Sequence, residues 1–330
     1  MKILITGITG FVGSHLAEYI LDRQEGHEVF GLCRWRSPRE NLARAYGRIS
    51  LVEGDLLDMS VLIRHLDAIR PEVIFHLAAQ SYVLTSFDAP LQTLWPNVIG
   101  TANLLEAVRL TKLDPVIHIC SSSEVYGQVC PEDVPIREDC PFKPASPYAV
   151  SKVGEDMIAF QYWVSHGLRT IRTRMFTHTG PRRGDVFAMS FFAKQVAAAE
   201  LGMKEPIIQV GNLASVRTFC DVRDAVRAYW LLVNCCEPGE VYNIGGNRTM
   251  TIGEALDILL SFSKITCEVA VQQQLLRPSD VTLQIPCTDK FSEKTGWQPE
   301  IPFEKTLEDM LIYWRDELAR NPWKALTVVK

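Results

Sequence analysis

No CxxC pair occurs among the nine cysteines and their total is odd, so neither a zinc site nor a disulfide framework is indicated. The adjacent Cys235 and Cys236 lie in the apolar stretch WLLVNCC, where neighbouring cysteines ordinarily serve as packing residues. There is no run of lysine and arginine, and the net charge is −5, which excludes nucleic acid as the main partner. No apolar run reaches the roughly 20 residues that span a bilayer, so no membrane partner is expected. Internal repeats and low-complexity segments are also missing. A strand-like run, KILITG, begins at residue 2 and leaves no room ahead of it for a targeting segment; a cytoplasmic protein is the expectation.

What is present is an ordinary globular composition, 47% hydrophobic and 22% charged over 330 residues. That length accommodates one large domain with a lobe, or two domains sharing an interface. In the first half, short β-rich runs alternate with amphipathic stretches: KILITG, 13–24, HEVFGLC, the turn-rich 36–48, ISLVEGD, 59–69, VIFHLAA, 97–111 and VIHICSSS. Such alternation predicts parallel strands joined by crossover helices. Several of the strands are almost wholly apolar, as they must be when helices cover both faces of a sheet.

From about residue 175 the pattern loosens. FTHTGPRRGD reads as a loop, 187–202 as a helix, EPIIQVGN as a strand, 221–233 as a helix and VYNIGG as one more strand of the main sheet. The fold class is therefore α/β: a doubly wound parallel (Rossmann) sheet with a smaller α/β substrate-binding lobe. Residues 1–174 and 218–245 are expected to form the dinucleotide-binding domain, and 175–217 and 246–330 the lobe. Chemistry in such a sheet gathers at the carboxyl ends of the strands.

Gly7, Gly10 and Gly13 follow the first strand and open a helix. Glycine there permits a tight turn, lets a pyrophosphate approach the backbone and exposes the helix amino terminus to the anion. A structural turn uses the same residues, but not usually in this strand-to-helix context. The turn continues through Phe11 and Val12. Asp55 and Leu56 end the third strand, and Leu77, Ala78 and Ala79 end the fourth, which places all of them beside the same dinucleotide. Asp55 suits the adenine amino group, and it also suits a helix cap.

Where a cofactor without a ribose phosphate would want a carboxylate, the second strand ends in Cys33, Arg34, Trp35, Arg36 and Ser37. Arg34, Arg36 and Ser37 are suited to a 2′-phosphate, through paired and charge-assisted hydrogen bonds. NADP is the expected cofactor.

Tyr148 and Lys152 in SPYAVSK are four residues apart, which on a helix places both side chains on one face, with the ammonium favouring the phenolate. Alone, that spacing also fits a surface lysine near a half-buried tyrosine. It gains meaning from Ser121, Ser122, Ser123 and Glu124 at the end of VIHIC, where a serine can hydrogen-bond both a substrate hydroxyl and Tyr148 while the glutamate serves as a second acid or base.

With these motifs the chain resembles the extended short-chain dehydrogenase/reductase family, and within it the nucleotide-sugar branch of GDP-mannose 4,6-dehydratases and neighbouring GDP-4-keto-6-deoxymannose reductases. HLAAQSYVLTSFD, SSSEVYG, SPYAVSK, HTGPRRG and RPSDV at 277–281 carry the resemblance over nearly the whole length. It implies a catalytic set of Ser122, Tyr148 and Lys152 with Glu124 in proton transfer, Ser81, Ser86 and Ser123 at the sugar, and Lys194, Arg217 and Arg277 on the nucleotide diphosphate. The implied reaction converts GDP-mannose to the 4-keto-6-deoxy sugar by internal hydride transfer through NADP; the alternatives are the reductase and a related epimerase. Ser122 stands where the dehydratases carry threonine, and Thr177 where family members usually place an asparagine before the loop histidine.

A homo-oligomer, dimer or tetramer, is expected through the helices near 97–111 and 148–164. The second carries Val153, Met157, Phe160 and Trp163 in an apolar stripe wider than sheet packing requires.

Overall fold

The computed structural model of the chain describes residues 1–276 and 278–326. Its centre is a seven-stranded, wholly parallel sheet. The first half supplies β1 (Lys2–Thr6), α1 (Phe11–Asp22), β2 (Glu28–Cys33), β3 (Ser50–Glu53), α2 (Met59–Ile69), β4 (Val73–His76), α3 (Val83–Asp88), α4 (Pro90–Leu94), α5 (Gly100–Thr111), β5 (Val116–Ser122), α6 (Pro147–His166) and β6 (Thr170–Met175). Next come β7 (His178–Thr179), α7 (Ala188–Glu200), β8 (Ile207–Val210), β9 (Val216–Asp221), α8 (Val222–Cys235) and β10 (Val241–Ile244). The strand order is β10-β6-β5-β4-β1-β2-β3, a doubly wound arrangement whose order reverses between β1 and β4. That reversal opens a crevice at the strands' carboxyl ends.

Period-two alternation sorts the strand residues onto two cores. Ile3 and Ile5 of β1, with Val73 and Phe75 of β4, pack under α1 and α8, while Leu4 and Ile74 pack with α2 and α5 on the opposite face. The expected helix over 97–111 is α5, except that its first residues belong to a wider turn joining it to α4. α4 ends at Leu94, a wider π-type turn runs over Trp95–Ile99, and α5 begins at Gly100. Pro96, lacking an N–H, cannot sustain the regular ladder through that turn.

The remaining chain adds β11 (Arg248–Thr251), α9 (Ile252–Ser261), β12 (Glu268–Val271), β13 (Leu283–Gln284), α10 (Asp289–Thr295) and α11 (Phe303–Arg320). β9 is the hub of a second sheet, flanked by β11 and β13 and joined by β7. The loop FTHTGPRRGD thus contains one short strand. Phe219 of β9 lies in the core built by α7, α9 and α11, and its neighbour Cys220 lies in the core under the main sheet, so this one strand ties the lobes together. Phe291 of α10 and Trp297 return the chain to the main core.

Two fully buried histidines brace the sheet beneath the crevice. His76 is hydrogen-bonded to Thr6 and Thr101 (2.9 Å each), and His118 to Thr173 (2.8 Å). Burial holds both pKa values down, to about 3. Because the unfolded chain protonates these rings near their ordinary value of 6.5 and the native chain does not, stability is complete above 6.5 and falls as the pH drops toward 3. Each ring contributes about 1.4 kcal/mol per pH unit in that window. Calorimetry from pH 7.5 to 4.5 should show a steep loss of Tm beginning near 6, before most carboxylates titrate. A flat Tm across that range would refute it.

Candidate active site

The crevice at the strand ends divides into two adjoining clefts. The larger, about 950 Å³, is lined by the glycine turn, the ends of β2 to β5 and the start of α6. The smaller, about 290 Å³, lies between β5, the β6–α7 segment and the second sheet. Ser81, Ser122, Tyr148, Met175, His178 and Arg183 face both.

The glycine turn is tight. Gly10 donates to the Gly7 carbonyl (3.0 Å), and Gly7 has φ +72°. A Cβ on Gly7 would sit 2.8 Å from the Ala78 nitrogen, and one on Gly13 2.4 Å from the Gly7 oxygen. Gly10 caps α1 without a side chain, and no acidic residue stands in the first turn, so the helix presents bare N–H groups to the cleft. Phe11, Val12, Asp55, Leu56, Leu77, Ala78 and Ala79 line the same space. Asp55 also accepts from the Leu57 N–H (2.9 Å).

Beyond β2, Arg34 and Ser37 line the cleft. Arg36 does not: its exposed guanidinium lies over the Trp35 ring at 4.5 Å, a cation–π contact that turns it aside.

Ser146 caps α6 by accepting from the Ala149 N–H (3.0 Å), with Pro147 as the first helical residue, and so Tyr148 and Lys152 fall on the first turns facing the crevice. The Lys152 Nζ lies 6.0 Å from the Tyr148 ring centroid and donates to the Cys120 carbonyl (2.8 Å) and the Glu155 carboxylate (2.8 Å). Burial pushes the Tyr148 phenol above its ordinary pKa, while the Lys152 ammonium and a hydrogen bond with Ser122 pull it back. Ser122 ends β5 and its Oγ accepts from the Glu124 N–H (3.2 Å), which sets Glu124 on a short 3₁₀ turn in the wall of the smaller cleft.

Two expected substrate residues are corrected, and a third is not described. Ser86 is fully buried and donates to the Val83 carbonyl (2.6 Å), so it belongs to the packing of α3 and not to the cleft wall. Lys194 is held by Asp185 (2.6 Å) beneath the Trp314 ring and lines neither cleft. Arg277 lies outside the described residues. Ser81, Ser123, Thr177 and Arg217 do line the smaller cleft. Ser123 donates to Gln284 (2.5 Å), and Arg217 donates to the Val281 carbonyl with Asp280 3.8 Å away.

Several residues that sequence reading missed are brought in by tertiary contacts. Asn97, in the π-type turn, donates to Ser151 on α6 (2.8 Å) and to the Gln80 carbonyl (3.0 Å), clamping the segment after β4 to the helix that carries Tyr148. The break at Pro96 was a usable signal for it. Arg183 lies over the Phe187 ring at 3.5 Å and the Phe11 ring at 5.1 Å, at the junction of the clefts, where burial lowers its pKa to about 10. Glu155 stands behind Lys152, only three residues along the same helix.

Comparison with known proteins matches residues 4–310 to the family model for GDP-mannose 4,6 dehydratase. A GDP-mannose 4,6-dehydratase of Yersinia enterocolitica is 33% identical, covering 94% of this chain and 92% of that protein. A GDP-6-deoxy-D-mannose reductase of Pseudomonas aeruginosa is 30% identical, covering 96% and 98%. Among solved structures, that of RMD from Pseudomonas aeruginosa complexed with NADPH aligns with a TM-score of 0.83 at 29% identity, over 96% of this chain and 99% of that one. DesIV, a dTDP-glucose 4,6-dehydratase from Streptomyces venezuelae with NAD and TYD bound, aligns with a TM-score of 0.87 at 26% identity, over 98% and 99%.

Proposed function

We propose that this chain, which belongs to the GDP-mannose 4,6-dehydratase family, is itself an NADP-dependent dehydratase that converts GDP-mannose to GDP-4-keto-6-deoxymannose. The observation that carries the reading is the meeting of Ser122, Tyr148 and Lys152 with Glu124 where the two clefts join. A plain oxidoreductase needs the first three; a carboxylate on the sugar side adds the capacity to take a proton from carbon.

The larger cleft fits a dinucleotide: its volume, the bare amino terminus of α1 and the close-set glycines suit a pyrophosphate, while Arg34 and Ser37, with no carboxylate beside them, suit a 2′-phosphate. When bound, NADP would supply a store for the hydride that leaves C4 and returns to C6 once the 6-hydroxyl has gone, C5 regaining a proton. The chain's own residues then handle protons and position. Tyr148 removes the proton of the sugar 4-hydroxyl, Ser122 hydrogen-bonds O4, and Lys152 favours the phenolate. Glu124 takes the C5 proton, acidified by the new ketone, and with Ser123 helps protonate the departing 6-hydroxyl. Ser81, Thr177 and Arg217 hold the sugar diphosphate, and Arg183 adds a cation at the cleft junction. The lobe of 175–217 and 246–330 supplies this second wall.

Purified protein given GDP-mannose and catalytic NADP should form a 4-keto-6-deoxy product with no net cofactor consumption, and should do so poorly with NAD. The reductase reading is kept in view by the 30% identity to the Pseudomonas reductase over nearly both full lengths. Steady NADPH oxidation on a 4-keto sugar, with no turnover of GDP-mannose, would make it the correct one.

The protein is further proposed to be a homo-oligomer. Met157 and Phe160 of α6 stay exposed beside Leu91, Trp95 and Ile99, although Val153 turns inward toward the core around Tyr126. Light scattering that returned a 37.2 kDa monomer at micromolar concentration would refute this.

A further inference from the structure

Lys152 is nearly dry, at 4% exposure, and so is Glu155 beside it, at 1%. The ammonium has three protons to give. One goes to the Cys120 carbonyl and one to Glu155 Oε2, each at 2.8 Å, which leaves the third for the cleft that Lys152 lines. The other carboxylate oxygen, Glu155 Oε1, is buried and has no hydrogen-bond partner among the described residues. An arrangement that leaves one carboxylate oxygen unsatisfied is a poor source of stability, because desolvating two charges offsets most of their attraction. Nor is Glu155 needed to dock α6 on the sheet. The next residue, Asp156, already does that, through Arg172 (2.9 Å) and Arg174 (2.8 Å) of β6.

We propose that Glu155 is a positioning residue for the proton transfer at Tyr148: it is the buried counter-ion that keeps Lys152 charged and aimed at the phenol when the cleft is closed over its ligand. The proposal rests on Tyr148 being the acid–base group. Burial works against a charged Lys152 and raises the Glu155 carboxyl itself to about 7, yet the carboxylate is the first of the groups that outweigh burial at the lysine and hold the ammonium above its usual pKa. Acting directly, the same carboxylate raises the Tyr148 phenol, so its benefit there runs through the lysine. A buried lysine stripped of its counter-ion can lose its proton near neutrality. No other anion among the described residues does this work. On α6, Asp156 is satisfied by its two arginines. On β4 and β5, His76 and His118 are kept neutral by burial, and burial also raises the Cys120 thiol of β5 and the Tyr229 phenol of α8. Arg183, from the loop after β7, is a cation bearing on Tyr148. Glu124 lines the smaller cleft, which Tyr148 shares.

The test is the ionisation of Tyr148 itself, followed by near-ultraviolet phenolate absorbance with Tyr148→Phe as the blank, in the NADP-loaded protein. Glu155→Gln keeps the shape and removes the charge; it should move the phenol midpoint up by about one pH unit or more, with turnover at neutral pH about tenfold lower and recovering at alkaline pH. Glu155→Asp should restore part of the shift. In a Lys152→Met background, Glu155→Gln should add nothing, since Glu155 acts through the lysine. An unchanged midpoint with uniform loss of rate at every pH would mean that Glu155 only packs, and a midpoint moved downward would mean that it damps Lys152; either overturns the proposal. The phenol titration needs no sugar substrate, so it stands or falls separately from the identity of the reaction.

Discussion

Glu124→Gln should leave GDP-mannose binding and C4 oxidation in place and stop the reaction there. The amide keeps the length and shape of the side chain at the wall of the smaller cleft, but it cannot accept the C5 proton. Loss of a general acid/base group typically removes about two to four orders of magnitude in rate, and 6-deoxy product formation should fall by that amount. Two readouts separate this from simple damage. Reduced nicotinamide should appear on mixing enzyme, NADP and GDP-mannose, because the first hydride transfer does not need Glu124, and the C5 proton should no longer exchange with deuterium from solvent. KM should change little. Near-normal turnover by this variant would show that the base has been misassigned and would remove the main argument for a dehydratase over a reductase or epimerase.

Tyr148→Phe should act one step earlier. Phenylalanine preserves the packing of a ring that is only 8% exposed, so the fold and the neighbouring Lys152 and Ser122 stay in place. Without the hydroxyl nothing withdraws the proton from O4 as C4 is oxidised, and no reduced nicotinamide should accumulate. The expected loss is again about two to four orders of magnitude, now in the first step rather than the second. Measured against Glu124→Gln, the contrast is qualitative: one variant traps the oxidised sugar and the other never forms it. Appearance of reduced cofactor in the Tyr148→Phe protein at the native rate would sink the assignment of the phenol as base.

The elements most legible in advance were those specified by local spacing. The glycine turn, the apolar parallel strands and the Tyr148–Lys152 spacing depend on residues a few positions apart, and backbone sterics and helical period translate them directly into geometry. Ser122 and Glu124 were placed by the same reasoning, since the end of a parallel strand is where chemistry collects. What failed did so because a side chain's actual partner, not its type or spacing, decides where it points. Lys194 looked available for a phosphate until Asp185 was found on it, and Arg36 until Trp35 was. Ser86 read as a cleft residue, but α3 turns it under its own backbone.

Residue type and spacing determined which groups this protein has for redox and proton chemistry and on which helix face or strand end each one sits. Only the tertiary structure decided which of them keep their charge and their view of the cleft. Polar and charged groups pair with whatever the folded chain brings within reach, and many of those partners, such as Gln284 for Ser123 or Asn97 for the helix of Tyr148, lie tens to more than a hundred residues away along the chain. Glu155 shows the same principle at short range: its place behind Lys152 follows from the helix, but its effect comes from burial, which no spacing in the sequence records.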